Sequence, residues 1–278
     1  MDTVGQLDHR AAVAAETRRF ADVIEGADLA AAVPDCPGWT LLDLTRHVGS
    51  VQRWFSVLLR QRVQERPTSR DVDLQLPADE SGYVAWLGSG AEVAAEAFAA
   101  TDLDAPMWVW GADAHARFWA RRMCFETLLH RVDAERAVGL PSVLDPALAH
   151  DGVDEFLVNL PFATPFAPKV AHLRGTGRTI RFQHAEPGGA GGAWVVELRP
   201  DGFGLVGAAD ARSGAPATEA AAAAGAAPEL PAADATVRAA TAGDLLLLLY
   251  GRLDHTAGTV TTGGDTALLD LWFANSEF

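Results

Sequence analysis

Sulfur is scarce in this chain of 278 residues, which has two cysteines, Cys36 and Cys124. They stand in different segments without C-x-x-C spacing, which argues against a disulfide framework and against a thiolate zinc site. Sulfur chemistry, if the protein uses it, arrives on a ligand. Positive charge is scarce too: 22 Lys and Arg stand against 37 Asp and Glu, for a formal charge of −15. Such a surface repels phosphate backbones and anionic lipids, which sets aside nucleic acid and membrane surfaces as partners. Lys169 is the single lysine, and the Ala, Gly and Arg bias is that of a high-GC bacterial genome. Long apolar runs are missing as well. The longest, "LLLLLY" at 245–250, falls far short of the roughly 20 residues of a membrane span. With no basic, apolar, small-residue pattern at the N-terminus, the expected location is the cytoplasm.

What is present divides into two textures, and the length suits two domains. The first half reads as four helices of about 20 residues or more. One runs from Leu7 to about Ala32, and "VPDCPGW" stops it with two prolines. A second opens at "TLLD", where Thr40 and Asp43 form a capping-box pair, and runs to about Val63. A third covers roughly 80–100 and a fourth roughly 114–138, ended by Gly139-Leu140-Pro141. This predicts a four-helix bundle over residues 1–150, an architecture that builds metal sites from side chains on facing helices. After His150 come short strand-like runs, "RTIRFQH" and "AWVVELRP", with "GGAGG" and "DGFG" as turns. "DATVRA" and "TVTTGGD" read as further strands, "AGDLLLLLYGR" and "TALLDLWF" as helices, and 216–234 as low-complexity sequence. The fold class is therefore α+β, with a smaller α+β domain over residues 151–278.

Polar residues on apolar helical faces carry the chemistry. On a helical wheel of the fourth helix with Phe125 at zero, Phe118, Leu128, Leu129 and Val132 form a core stripe, while Thr127, Arg131 and Glu135 fall on the side expected to be wet. Glu126 and His130, four apart, lie on a third arc at about 100° and 140°, beside Trp119 and Met123. In the second helix Leu44, His47, Val51 and Trp54 share one face, so His47 also lies in an apolar stripe. Two histidines and a carboxylate from two helices make a facial set with open positions, suited to a divalent metal that also holds water or substrate. The same spacing serves an ordinary i, i+4 pair and a core histidine bonded to a backbone carbonyl. Cys36, beside Pro37, has no base near it in sequence, which leaves a buried structural role open alongside a reactive one. Cys124 falls toward the wet face and receives no role, and histidines 9, 115, 150, 172, 184 and 255 read as surface or capping residues.

Two blocks in this order resemble a known family. "VPDCPGWTLLDLTRHVGSV" (33–51) is similar to the block that opens the metal-binding helix of the mycothiol-dependent maleylpyruvate isomerases, a branch of the DinB-like four-helix bundles. "FETLLHRVDAERAVG" (125–139) resembles the second block, in which E-x-x-x-H is followed by an acidic and a small residue. "GDLLLLLYGR" and "VTTGGDTALLDLW" resemble the appended α+β domain, which is compared with sterol-carrier-like folds. The resemblance implies metal ligands at His47, Glu126 and His130, and an activity-linked arginine at Arg252, for which a helix-end role is the alternative. It further implies a divalent metal, typically zinc, and mycothiol, the low-molecular-weight thiol of actinobacteria, as cosubstrate. The implied enzyme is an isomerase or S-transferase acting on a small electrophile, as a monomer or weak homodimer. A metal-dependent hydrolase or rearrangement enzyme without a thiol, and a non-catalytic binding protein, are the alternatives.

Overall fold

The computed structural model describes residues 7–67, 72–185, 191–207 and 232–277. The segment 216–231 of the low-complexity run, and much of "GGAGG", lie outside the described residues. The chain divides into two compact units, Met1–Val109 with Asp113–Val143, and Trp110–Ala112 with Leu144–Phe278.

Among the described residues the first unit holds four α-helices: α1 (His9–Ile24), α2 (Leu41–Gln61), α3 (Tyr83–Ala99) and α4 (Arg117–Ala137). Local chemistry sets their ends. Asp8 accepts from the Arg10 and Ala11 amides to cap α1, which stops before Gly26 at φ +73°. The capping box read at Thr40 and Asp43 is formed, with Asp43 N–H bonded to Thr40 Oγ1 and Thr40 N–H to Asp43 Oδ2. Gly139 takes φ +73° after α4, and the Leu140 amide closes back on the Glu135 carbonyl. Phe20, Ile24, Leu41, Leu44, Val48, Tyr83, Trp86, Leu87 and Ala134 form a core to which all four helices contribute. Burying each large side chain is worth about 1.5–3 kcal/mol. Gly49 lets α2 and α3 close up, since a Cβ there would stand 2.3 Å from the Trp86 ring. The observed helices are shorter at both ends than the periodicity suggested, because cap residues rather than apolar spacing decide where each stops.

The second unit begins with α5 (Pro146–Asn159), capped by Asp145 with proline in its first turn, a helix the sequence reading did not place. A five-stranded sheet follows, in the order β3 (Gly202–Leu205), β2 (Gly192–Arg199), β1 (Arg178–His184), β4 (Ala235–Ala239), β5 (Val260–Gly264). Among the described strands, only β1 and β4 pair in parallel. The crossing from β4 to β5 runs through α6 (Ala242–Leu249), and α7 (Thr266–Asn275) ends the unit. Alternation gives the sheet one buried face: Trp272 of α7 meets Phe182 at 4.9 Å and Phe203 at 5.8 Å, and Asp154 of α5 accepts from the Trp194 indole. The "DGFG" read as a turn supplies that turn and then continues as β3. The expected α+β organisation, a helical part followed by a mixed-sheet part, holds. No helix among the described residues is long and apolar enough to cross a membrane.

Candidate metal centre

Antiparallel neighbours α2 and α4 bring three of the expected residues together within the first unit. His47 Nε2 stands 2.9 Å from Glu126 Oε1, and His130 Nε2 stands 3.4 Å from the same oxygen. The His47 and His130 rings meet edge to face at 4.9 Å. One donor atom from each residue lies within 4.8 Å of the others. Donors bonded to a zinc ion at about 2.0–2.2 Å lie roughly 3–3.6 Å apart, so the donor set fits a divalent ion in both chemistry and spacing. All three side chains are half-buried rather than sealed.

Neighbouring groups aim these donors. The buried Arg122, one turn before Glu126, donates from Nη2 to Glu126 Oε2 at 3.2 Å, which turns Oε1 toward the histidines. Asp133 Oδ2 accepts from His130 Nδ1 at 2.9 Å. A carboxylate accepts, so the proton sits on Nδ1 and Nε2 faces Glu126. Cys36 Sγ lies 3.5 Å from the same Asp133 oxygen. Trp39, from the loop between α1 and α2, sets its ring 5.1 Å from that of His47 and 6.5 Å from that of His130. Burial pushes the Glu126 carboxyl up, but hydrogen bonds from His130 and His47 and the charges of His130 and Arg122 outweigh it and hold the group well below its usual 4.5. Burial likewise pushes His130 down. Its hydrogen bonds to Asp133, Cys36 and Glu126, with the Glu126 charge, raise it well above 6.5. In the metal-free site the two groups form a charged pair, and a cation there takes the place of the proton.

Three expectations need correction. Thr127 and Arg131 are buried rather than wet, because α1 covers that side of α4: Arg131 Nε donates to Glu16 Oε2 at 2.8 Å and Nη1 to Glu135 Oε2 at 2.6 Å. Cys124 is fully buried too. Cys36, which has no base beside it in sequence, has Asp133 and His130 beside it in space because the loop folds onto α4. His184 is buried in β1 with Nε2 3.0 Å from His150 Nδ1, a pairing invisible without α5.

Arg252 lies in the second unit, just past α6. Gly251 at φ +71° ends that helix, with the Arg252 amide bonded to Leu247 O and the Gly251 amide to Leu248 O, the paired pattern of a Schellman cap. The Arg252 guanidinium donates from Nη1 to Tyr250 O at 2.8 Å. Missed by the sequence reading were Arg122, Asp133 and Trp39. Arg122 and Asp133 were findable, at four residues before Glu126 and three after His130.

A helical bundle with an inward His–Glu–His cluster from two of its helices, followed by a mixed-sheet unit, defines the class of two-part protein to which this chain belongs. Residues 10–135 match the family described as the mycothiol maleylpyruvate isomerase N-terminal domain. The matched span contains His47, Glu126 and His130. Among solved structures, the chain is similar to one described as the crystal structure of the mycothiol-dependent maleylpyruvate isomerase, with a TM-score of 0.56 at 12% identity over 93% of each chain. At that identity the likeness speaks for the fold. A comparison with curated proteins finds no match.

Proposed function

We propose that the protein is a metal- and mycothiol-dependent enzyme of the maleylpyruvate isomerase kind, acting on a small conjugated electrophile. The observation that carries the reading is the convergence of His47, Glu126 and His130 from two helices, inside the residues that match the family. Three donors leave coordination positions open, as a catalytic rather than a structural site requires. A divalent ion at such a site lowers the pKa of a thiol it coordinates, so that thiolate is present at neutral pH.

The chain's own residues do the rest. Arg122 keeps Glu126 turned toward the histidines, and Trp39 walls the histidine side. Mycothiol, if bound there, would supply a thiolate for reversible addition to a conjugated cis diacid, the chemistry by which a double bond turns from cis to trans with no atom gained or lost. The reading assigns Arg252 the holding of an anionic group through its planar fork.

Purified protein carrying about one divalent ion per chain, with turnover of maleylpyruvate that requires both the ion and mycothiol, is the expected result. Metal-dependent turnover indifferent to any thiol would replace this reading with hydrolysis or rearrangement. For Arg252, Arg252→Lys keeps the charge and loses the fork, so turnover should fall about tenfold or more with melting temperature unchanged. If Arg252→Ala instead lowers the melting temperature while folded enzyme turns over normally, the residue is a helix cap.

A further inference from the structure

Asp133 is a carboxylate with no exposure to solvent, and such a group is expensive to bury without partners. Two of its partners lie toward the metal centre. One oxygen, Oδ2, takes both the His130 ring nitrogen that faces away from Glu126, at 2.9 Å, and the Cys36 thiol, at 3.5 Å. His130 and Asp133 sit three apart on α4, so the helix itself fixes their spacing. Cys36 comes from the loop between α1 and α2, which Arg136 of α4 also grips through Asp35 at 2.8 Å. The chain of contacts is therefore thiol, buried carboxylate, imidazole, and then the open donor position at Nε2.

We infer that Asp133 is a positioning residue for His130 and that Cys36 steadies Asp133. By accepting from Nδ1, the carboxylate fixes the ring's rotation and tautomer, so the Nε2 lone pair points into the His47–Glu126–His130 cluster and is made more basic. By donating to Oδ2, the thiol keeps that carboxylate from turning away. The inference rests on the proposed metal site. The alternative is that Cys36, His130 and Asp133, whose donor atoms also lie within 4.8 Å of one another, hold an ion themselves. The observed geometry favours the first arrangement. Nδ1 and Oδ2 stand at ordinary hydrogen-bond distance, and an ion on Nδ1 would displace the proton that sets Nε2 toward Glu126.

The test uses the full chain with Co(II) as a visible probe, no added thiol, and chelator competition for affinity. Asp133→Asn, nearly the same shape, is expected to weaken binding by about 10- to 100-fold and to change the Co(II) d–d spectrum. Cys36→Ala is expected to lose less than about tenfold, and Cys36→Ser, which keeps a donor, to stay close to wild type. Nitrogen-15 shifts of His130 in metal-free protein, recorded above its titration, should report the Nδ1–H tautomer in wild type and its loss in Asp133→Asn. Unchanged affinity and spectrum in Asp133→Asn would overturn the inference. So would a near-ultraviolet thiolate-to-Co(II) band in wild type that Cys36→Ala removes, since it would make Cys36 a ligand. If wild type takes up no Co(II), the metal reading itself falls, and the nitrogen shifts alone decide whether Asp133 orders the ring. A mixed tautomer in wild type would then sink it.

Discussion

Helix α4 carries two polar clusters built on the same i, i+4 spacing, and they end differently. Arg131 and Glu135, with Glu16 from α1, are closed: the guanidinium gives Nε to one carboxylate and Nη1 to the other, and its side chain is 1% exposed. Glu126 and His130, with His47 from α2, are open: two imidazoles converge on one carboxylate oxygen, and the three side chains remain 14–31% exposed. In the first cluster a cation of the chain itself answers the carboxylates. In the second, Arg122 satisfies one oxygen of Glu126 and leaves the other to share two imidazoles. A polar cluster that completes itself serves the fold, and one that stops short of completion leaves room for something brought from outside.

The sharpest break between the two is loss of a member from each. His130→Ala should reduce bound metal from about one ion per chain to none measurable, because two protein bonds do not hold the ion, and in chelator it should cost less unfolding free energy than Arg131→Ala, since the His130 side chain is 14% exposed and that of Arg131 1%. Unchanged metal content by elemental analysis would place the centre elsewhere. Arg131→Ala should do the reverse. It leaves Glu16 and Glu135 without their cation and should cost about 3–5 kcal/mol in denaturant unfolding, with metal affinity of the folded fraction intact. A loss below about 1 kcal/mol would mean that water reaches the carboxylates.

Acidity separates the clusters more gently. In metal-free protein the raised His130 contributes stability that is complete below its unfolded value near 6.5 and is lost as pH rises through its folded value. The depressed Glu126 contributes stability that is complete above about 4.5 and is lost as pH falls through its folded value. The metal-free contribution is thus greatest between those limits. Protons and metal compete for the same nitrogens, so the rise in melting temperature on adding zinc should grow from about pH 6 to 8. A rise independent of pH would remove His130 from the ligand set. The smallest effect belongs to the rim of the closed cluster. Arg19, half-exposed at 3.1 Å from Glu16, should be replaceable by Ala for less than about 1 kcal/mol in a thermal melt.

The sequence made α4's open cluster legible and misread its closed one, for a single reason. A helical wheel compares residues of one helix, and Glu126, His130 and His47 stood out because apolar neighbours framed them on their own helices. Arg131 looked like a solvent residue because its partner Glu16 lies 115 positions away on another helix. The same blindness applied to Cys36, whose neighbour Asp133 is 97 residues on. Signals that were local were readable, as at Thr40–Asp43 and Gly139. The Asp145-Pro146 start of α5 is equally local, and Ala149, Val153, Phe156 and Leu157 behind it keep helical spacing, so this helix too is legible in the sequence. Strand β3 is four residues long, too short for its alternation to stand out against the turn glycines around it.

The loop that carries Cys36 and Trp39 is tied at its neck. Val33 N–H bonds to Trp39 O, Leu41 N–H to Ala31 O and Leu42 N–H to Leu29 O, at 3.0, 2.8 and 2.9 Å. A segment closed in this way breathes as one piece, so the event that lifts Trp39 from the imidazoles also withdraws the thiol from Asp133. Amide deuterium exchange should then rise and fall in concert across 33–41, at a rate set by a single opening. An occupied centre, gripping α2 just beyond the neck, should slow all of those amides by a common factor.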